Sequence, residues 1–172
     1  MPQLRPIALS DLDHIHQLHS LPETDQFNTL GIPGSKEETH ALLQQWLKDQ
    51  EPPRQSYIFC MELDQDFIGL IALKLGPEKY KTGEVWYKLH KDHWGKGYTS
   101  EALKKLLQFA FQELQLHRIE AGCAVDNIGS IRVLEKAGMT REGRKRKKLP
   151  IRGEWSDNYF YAILEEDFFK KD

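Results

Sequence analysis

The stretch His93-Trp-Gly-Lys-Gly-Tyr-Thr-Ser-Glu-Ala-Leu103 decides the fold. Before it, Gly83 to His90 reads as a strand. Within and after it the period changes: Leu103, Leu106, Leu107, Ala110, Phe111 and Leu114 recur at the spacing of an amphipathic helix. Two glycines at a strand-to-helix turn let the backbone bend tightly and approach a ligand closely. The unpaired amides and the positive end of the helix dipole make such a turn an anion site suited to a pyrophosphate. The spacing is not that of a Walker loop, and the third glycine of a dinucleotide fingerprint is missing.

Working outward gives the remaining elements. Leu4 to Leu9 reads as a first strand. Ser10 is placed to cap a helix, with Asp11 and Asp13 in its first turn and Ile15 and Leu18 on one face. Leu21 to Pro33 is a loop. Ser35 and Glu38 have the spacing of a capping box before the stripe Leu42, Leu43, Trp46 and Leu47, and Pro52-Pro53 stops that helix. Ser56 to Leu63 and Phe67 to Leu75 are strands around the turn Asp64-Gln-Asp. Downstream come a strand from His117 to Val125, a helix from Ser130 to Gly138, and two strands, Met139 to Lys148 and Asp157 to Leu164. The order β-α-α-β-β-β-α-β-α-β-β describes an α/β fold with a mixed sheet of about seven strands and four helices on its faces.

The 172 residues fit one domain spanning 1–172, and 40% hydrophobic with 29% charged residues is an ordinary globular composition. No run approaches the roughly 18 apolar residues of a membrane span, and the start has no apolar stretch, so a cytoplasmic protein is expected. Cys60 and Cys123 sit in apolar strands and read as reduced core thiols. Arg141 to Arg152 holds seven basic residues and one acid, although the whole chain carries −2. The remaining body is therefore acidic and suits a cationic acceptor. The basic run lacks interleaved aromatics and the chain is not basic overall, which argues against nucleic acid. His14, His16 and His19 lie on the first helix without an acid–His metalloprotease pattern, so no metal is expected.

Trp94 to Thr99 followed by Ser-Glu-Ala-Leu resembles the acetyl-CoA loop of the GNAT acetyltransferases, most closely the branch with the ribosomal-protein N-terminal acetyltransferases. Only Gly97 meets the strict Gln/Arg-x-x-Gly-x-Gly/Ala pattern. Trp94 takes its first place as a packing residue and Thr99 its last. A second segment, Asp126-Asn-Ile-Gly-Ser-Ile-Arg-Val-Leu-Glu-Lys-Ala-Gly-Met139, resembles the family's N-x-x-S-x-x-V-x-E-K-x-G-F/M. The resemblance runs from Leu4 to about Phe168. It implies the acyl-CoA N-acyltransferase fold, a mostly antiparallel sheet whose central strands splay. It implies acetyl-CoA as donor, held by backbone of Lys88 and Leu89 in the splay and by Gly95, Lys96, Gly97, Tyr98 and Thr99 at the pyrophosphate, with Thr99 or Ser100 capping the helix. The implied acceptor is a primary amine, a protein N-terminus or a small molecule, reached as a monomer or homodimer.

Amine attack on a thioester needs a neutral amine, a stabilised oxyanion and a proton for the leaving thiolate. Many GNAT enzymes supply that proton from a tyrosine where this chain has Leu134. The resemblance to the ribosomal branch makes Ser130 the candidate donor; a helix-cap serine is the other reading. Asn127 either holds the cofactor arm or forms an Asx-turn. Glu84 is the candidate base, or a surface carboxylate. An α-amine, with a reference pKa of about 7.7–8.0, needs little help from a base. Of Trp86 and Tyr87, one should point to the core and the other outward, and whichever points toward the acceptor side is expected to line its pocket. Leu149 stands where some ribosomal-protein enzymes carry an acid, which reads against a strictly ribosomal substrate. An acceptor such as a polyamine or aminoglycoside, or an acetyl-CoA-binding module without turnover, is the alternative.

Overall fold

The structure is a computed structural model and describes residues 1–170. Its elements are β1 (Gln3–Pro6), α1 (Leu12–His19), α2 (Pro22–Asp25), α3 (Lys36–Asp49), β2 (Ser56–Leu63), β3 (Asp66–Leu75), β4 (Thr82–Leu89), α4 (Tyr98–Gln108), β5 (Arg118–Ala124), α5 (Ile128–Lys136), β6 (Thr140–Ile151), β7 (Glu154–Leu164) and α6 (Glu165–Phe169). Among the described residues the seven strands form one sheet in the order β1-β2-β3-β4-β5-β7-β6. Every neighbouring pair is antiparallel except β4 and β5.

The expected splay is at that parallel pair. β4 and β5 are joined only from Thr82↔Arg118 to Glu84↔Glu120. Beyond Glu84, β4 stays paired to β3 as far as Leu89, and beyond Glu120, β5 stays paired to β7 as far as Ala124. A gap opens between them. The loops after both strands lie at its wide end.

Both sheet faces are covered. On one, Ile15, Leu18 and Leu43 from α1 and α3 pack on Ile58, Cys60, Leu70 and Ala72, with Trp46 and Trp86 at the margin. On the other, the stripe of α4 joins Ile131 and Leu134 of α5 over Met61, Ile71, Leu73, Val85, Ile119 and Tyr161. Trp86 and Tyr87 therefore both point at helices, one to each face, rather than one inward and one to solvent. Both cysteines are buried free thiols.

Several boundaries differ from expectation. Among the described residues six α-helices form rather than four. The two extra ones have four and five residues, too short to show a period. Pro22 starts α2 inside the expected loop, its fixed φ suiting a first helical position. Ser10 does not cap α1. It lies within a 3-10 turn, and Asp11 instead accepts from the Ala8 amide at 2.8 Å and pairs with Arg5. Ser35 does cap α3, accepting from Glu38 N–H, but Glu38 reaches back to the Gly34 amide. The helical stripe after the glycine loop changes type at Phe109, where a π turn runs to Glu113. The two last strands extend to a two-residue turn, Arg152-Gly153, with φ of 50° and 78°. Positive φ at both central residues is the tight hairpin geometry that matches strand twist. The basic run forms β6, and its partners lie across the ladder: Arg144 on Asp157, Arg141 over Tyr159, and Lys145 over Phe160. No helix among the described residues is long and apolar enough to cross a membrane.

Close approach of β3 to β4 requires Gly69. A Cβ there would stand 2.3 Å from the Lys88 carbonyl and 2.9 Å from the Met61 methyl. Gly→Ala in an unstrained strand position ordinarily stabilises by about 0.4–1 kcal/mol. At Gly69 the clash should reverse the sign, with a loss of about 1–3 kcal/mol typical of overpacking. Urea unfolding of Gly69→Ala measures this; an unchanged or raised midpoint would contradict the packing described.

Candidate active site

The gap is bounded by backbone on its β4 side. The register with β3 decides which residues face it. His90 N–H donates to Ile68 at 2.8 Å, and the Lys88 carbonyl points at Gly69, so even-numbered residues of β4 bond β3. Tyr87 and Leu89 then turn their amides and carbonyls toward the gap. Of the two residues expected to offer backbone there, Leu89 does and Lys88 does not; Tyr87 takes its place. Trp94, about half exposed, donates its indole N–H to the Leu89 carbonyl at 2.8 Å, so its role is polar anchoring as well as packing.

The glycine loop follows. Gly95 and Gly97 have φ of 74° and 82°, the left-handed region where glycine costs least. Gly97 is the residue that caps α4, and Thr99 and Ser100 are buried in its first turn rather than capping it. The bond from Glu101 N–H to the Gly97 carbonyl, 3.1 Å, begins the helical ladder. The amides preceding it, including those of Tyr98 and Thr99, are the open donors of a helix start. Lys96 turns its ammonium away, onto the Asp92 carbonyl. Lys136 of α5 brings its Nζ to 3.9 Å from where a Cβ on Gly97 would stand. The sequence reading overlooked this cation, although the Glu-Lys-x-Gly segment that carries it was in view.

The turn after β5 supplies the hydroxyl. Asn127 caps α5: its side-chain oxygen accepts the Ser130 N–H at 3.1 Å. Asn127 is thus the helix cap, and Ser130 stands inside the helix. Ser130 Oγ is 2.7 Å from the Tyr87 hydroxyl. The Cys123 thiol also bonds Ser130, and burial lifts that thiol's pKa to about 11. Burial likewise raises the Tyr87 phenol, with the Ser130 hydrogen bond opposing. Both groups therefore stay protonated at neutral pH. Leu134 is fully buried in the core and offers no proton. The phenol absent from α5 arrives instead from β4, where strict alternation places Tyr87 on the α5 side.

Glu84 stands apart from this pair. It is exposed, on the last rung joined to β5, opposite Glu120. No group of three or more His, Cys, Asp or Glu residues placed to hold a metal occurs among the described residues.

Residues 3–140 match the family described as an acetyltransferase (GNAT) domain. A probable N-acetyltransferase of Bacillus subtilis, YjcK, is 45% identical over 105 residues, 60% of this chain and 58% of that protein, so the match spans little more than half of it. Spermidine N-acetyltransferase from Vibrio cholerae, solved with CoA and spermine, superposes with a TM-score of 0.87 at 24% identity, covering 98% of each chain. Ribosomal-protein-S5-alanine acetyltransferase from Vibrio fischeri superposes with a TM-score of 0.86 at 23% identity, covering 97% of this chain and 94% of that one.

The cap assignment is testable by stability alone. Asn127→Ala should cost about 1 kcal/mol, the usual worth of a side-chain N-cap. Ser130→Ala should cost less than half as much. Thermal melts of the two proteins measure the difference, and a larger loss for Ser130→Ala would return the cap to the serine.

Proposed function

The chain belongs to the GNAT acetyltransferase family, and from that premise we propose that it moves the acetyl group of acetyl-CoA onto a primary amine by direct attack in a ternary complex. The observation that carries this reading is the gap between β4 and β5, with free β4 backbone along one side and both the glycine loop and the Asn127–Ser130 turn at its wide end. The fit to the donor is chemical. The amides of Gly95 to Thr99 and the Lys136 ammonium suit a pyrophosphate, and the Tyr87 and Leu89 backbone suits the amide groups of a pantetheine arm. Gly95 has no atom within 4 Å of where its Cβ would be, leaving the cradle open on that side.

Ser130 is the proton donor to the departing thiolate. Its hydroxyl gives its proton to the sulfur as the carbon–sulfur bond breaks; Tyr87, hydrogen-bonded to it, replaces that proton and is itself reprotonated from solvent, so that serine and phenol end as they began. The nucleophile must be the neutral amine, and its proton leaves to solvent. Among the described residues no carboxylate hydrogen-bonds the Tyr87–Ser130 pair, and the exposed Glu84 is the remaining candidate base on β4. The acceptor is either a protein N-terminal α-amine or the amine of a small molecule. Likeness to enzymes named for both kinds of substrate supports either.

Removing the Ser130 hydroxyl should lower kcat by roughly ten- to a few hundred-fold, near the bottom of the 10²–10⁴ range for general-acid help because water substitutes for a small hydroxyl. Tyr87→Phe should lower it about three- to thirty-fold, since Ser130 remains. Thiol release from acetyl-CoA with a panel of primary amines measures both. If Ser130→Ala and Tyr87→Phe turn over at the wild-type rate, the donor lies elsewhere; if the wild-type protein acetylates no amine, the function proposed is wrong.

A further inference from the structure

The opposite face of β4 carries a polar cluster that the transfer chemistry does not use. Lys88 projects there, beside Trp86, toward α1, α2 and α3. Its residue is only 9% exposed, and among the described residues its ammonium has no hydrogen bond or ion pair within 4 Å. His19, 2% exposed, ends α1 with its Nε2 unpartnered, and Thr24, 8% exposed, stands in α2 with its Oγ1 unpartnered. The His19 ring meets Trp46 at 5.8 Å, and Trp46 meets Trp86 at 5.4 Å, so two indoles wall the space.

The charges around it leave one cation uncompensated. Of the two acids on α2, Glu23 is paired through Oε1 with Lys91 at 2.9 Å, its Oε2 being buried without a hydrogen bond, and Asp25 is paired with Arg152 at 3.2 Å. Arg152 is at the tip of the β6–β7 hairpin and also donates to the Pro22 carbonyl, so the hairpin is clasped onto α2. His19 is neutral, its pKa carried down to about 3 by burial and then by the charges of Lys88 and His16. Lys88 feels Asp25 at a distance, but burial dominates and lowers its pKa to about 8. A largely buried lysine whose ammonium has no ion pair is costly to keep, and His19, whose Nε2 is buried without a hydrogen bond, lies close enough for the Lys88 charge to act on it. An anion supplied there would pair the ammonium.

We propose that Lys88 receives a carboxylate carried by the acceptor, so that the preferred amine also bears a carboxylate and is not a polyamine. The inference rests on the acetyl-transfer reading above. Lys88 lies on the splayed half of β4, one residue from Tyr87, so an acceptor anchored there holds its amine beside the gap from the face opposite Ser130. The local positive charge overrides the acidic character of the body as a whole. The His19 nitrogen and the indoles bound the remainder of the acceptor.

The test compares kcat/KM for L-amino acids with that for the amines left when their carboxylate is removed, whose basicity is similar, together with spermidine and peptides with an acidic first residue. The wild-type protein should favour the carboxylate-bearing partner by at least tenfold, since a site built around a buried charge rejects the ligand that leaves it unpaired. In Lys88→Met that ratio should fall to near one, and Lys88→Arg should keep a preference. Preference for free amino acids or for acidic peptides tells which source of carboxylate fits; either supports the site. A wild-type ratio of one or below, or an unchanged ratio in Lys88→Met, overturns it. Turnover of plain amines without preference overturns the carboxylate site alone, whereas no turnover of any amine overturns the acetyltransferase reading with it. The wild-type ratio decides even if the variants fail to fold.

Discussion

Three rungs of parallel pairing, Thr82 to Glu84 against Arg118 to Glu120, hold the two halves of the sheet together. Everything else about the site depends on the pairing stopping there. If β4 and β5 continued side by side, the Tyr87 and Leu89 backbone would be consumed by the ladder, and the loops after both strands would close over a finished sheet. The gap survives because each strand has a full-length antiparallel partner on its outer side. β3 holds β4 through seven rungs and β7 holds β5 through seven. Side chains then brace the gap: Trp94 fastens onto the Leu89 carbonyl, and Tyr87 reaches Ser130 on α5. An open backbone edge is ordinarily a liability; inside a molecule, flanked by covered sheet faces, it is a binding surface.

The same strand serves two chemistries because successive side chains point to opposite faces. Tyr87 goes to α5 and meets the hydroxyl of Ser130, the proton donor proposed above. Lys88 goes to the opposite face, where its charge acts on the buried His19. The donor and acceptor sides are thus separated by the thickness of one strand, the arrangement that a direct transfer between two bound molecules requires. The hairpin tip at Arg152 and the turn residue Lys91 both reach α2, so the acceptor wall is tied to the ends of the strands that frame the gap.

Much of this was legible in the sequence. Strong periods gave α3, α4 and the central strands within a few residues, and the glycine loop marked where the strand turns into a helix. The splay and the family followed from two motifs in order. What was missed was short or relational. Helices α2 and α6 bury too few residues to show a period. The caps were misplaced at Ser10, Thr99 and Ser130, because Asp11, Gly97 and Asn127 compete for each helix start and only three-dimensional geometry decides. The Tyr87–Ser130 contact spans 43 residues of sequence, and no spacing rule predicts it. Parity along β4 was readable in principle, but it needs the bond from His90 to Ile68 to say which parity faces the gap.

The central claim is that the amides of Tyr87 and Leu89, beyond the last rung to β5, are a free edge reserved for the acetyl donor. Amide hydrogen exchange of the protein with and without CoA, resolved residue by residue by NMR, tests it most directly. The amides of Tyr87 and Leu89 should exchange readily in the free protein and slow by at least about tenfold once CoA is bound, while those of Trp86 and Lys88, already bonded to β3, should change little. Equal protection of all four in the free protein, or no added protection at Tyr87 and Leu89 with CoA present, would contradict the account.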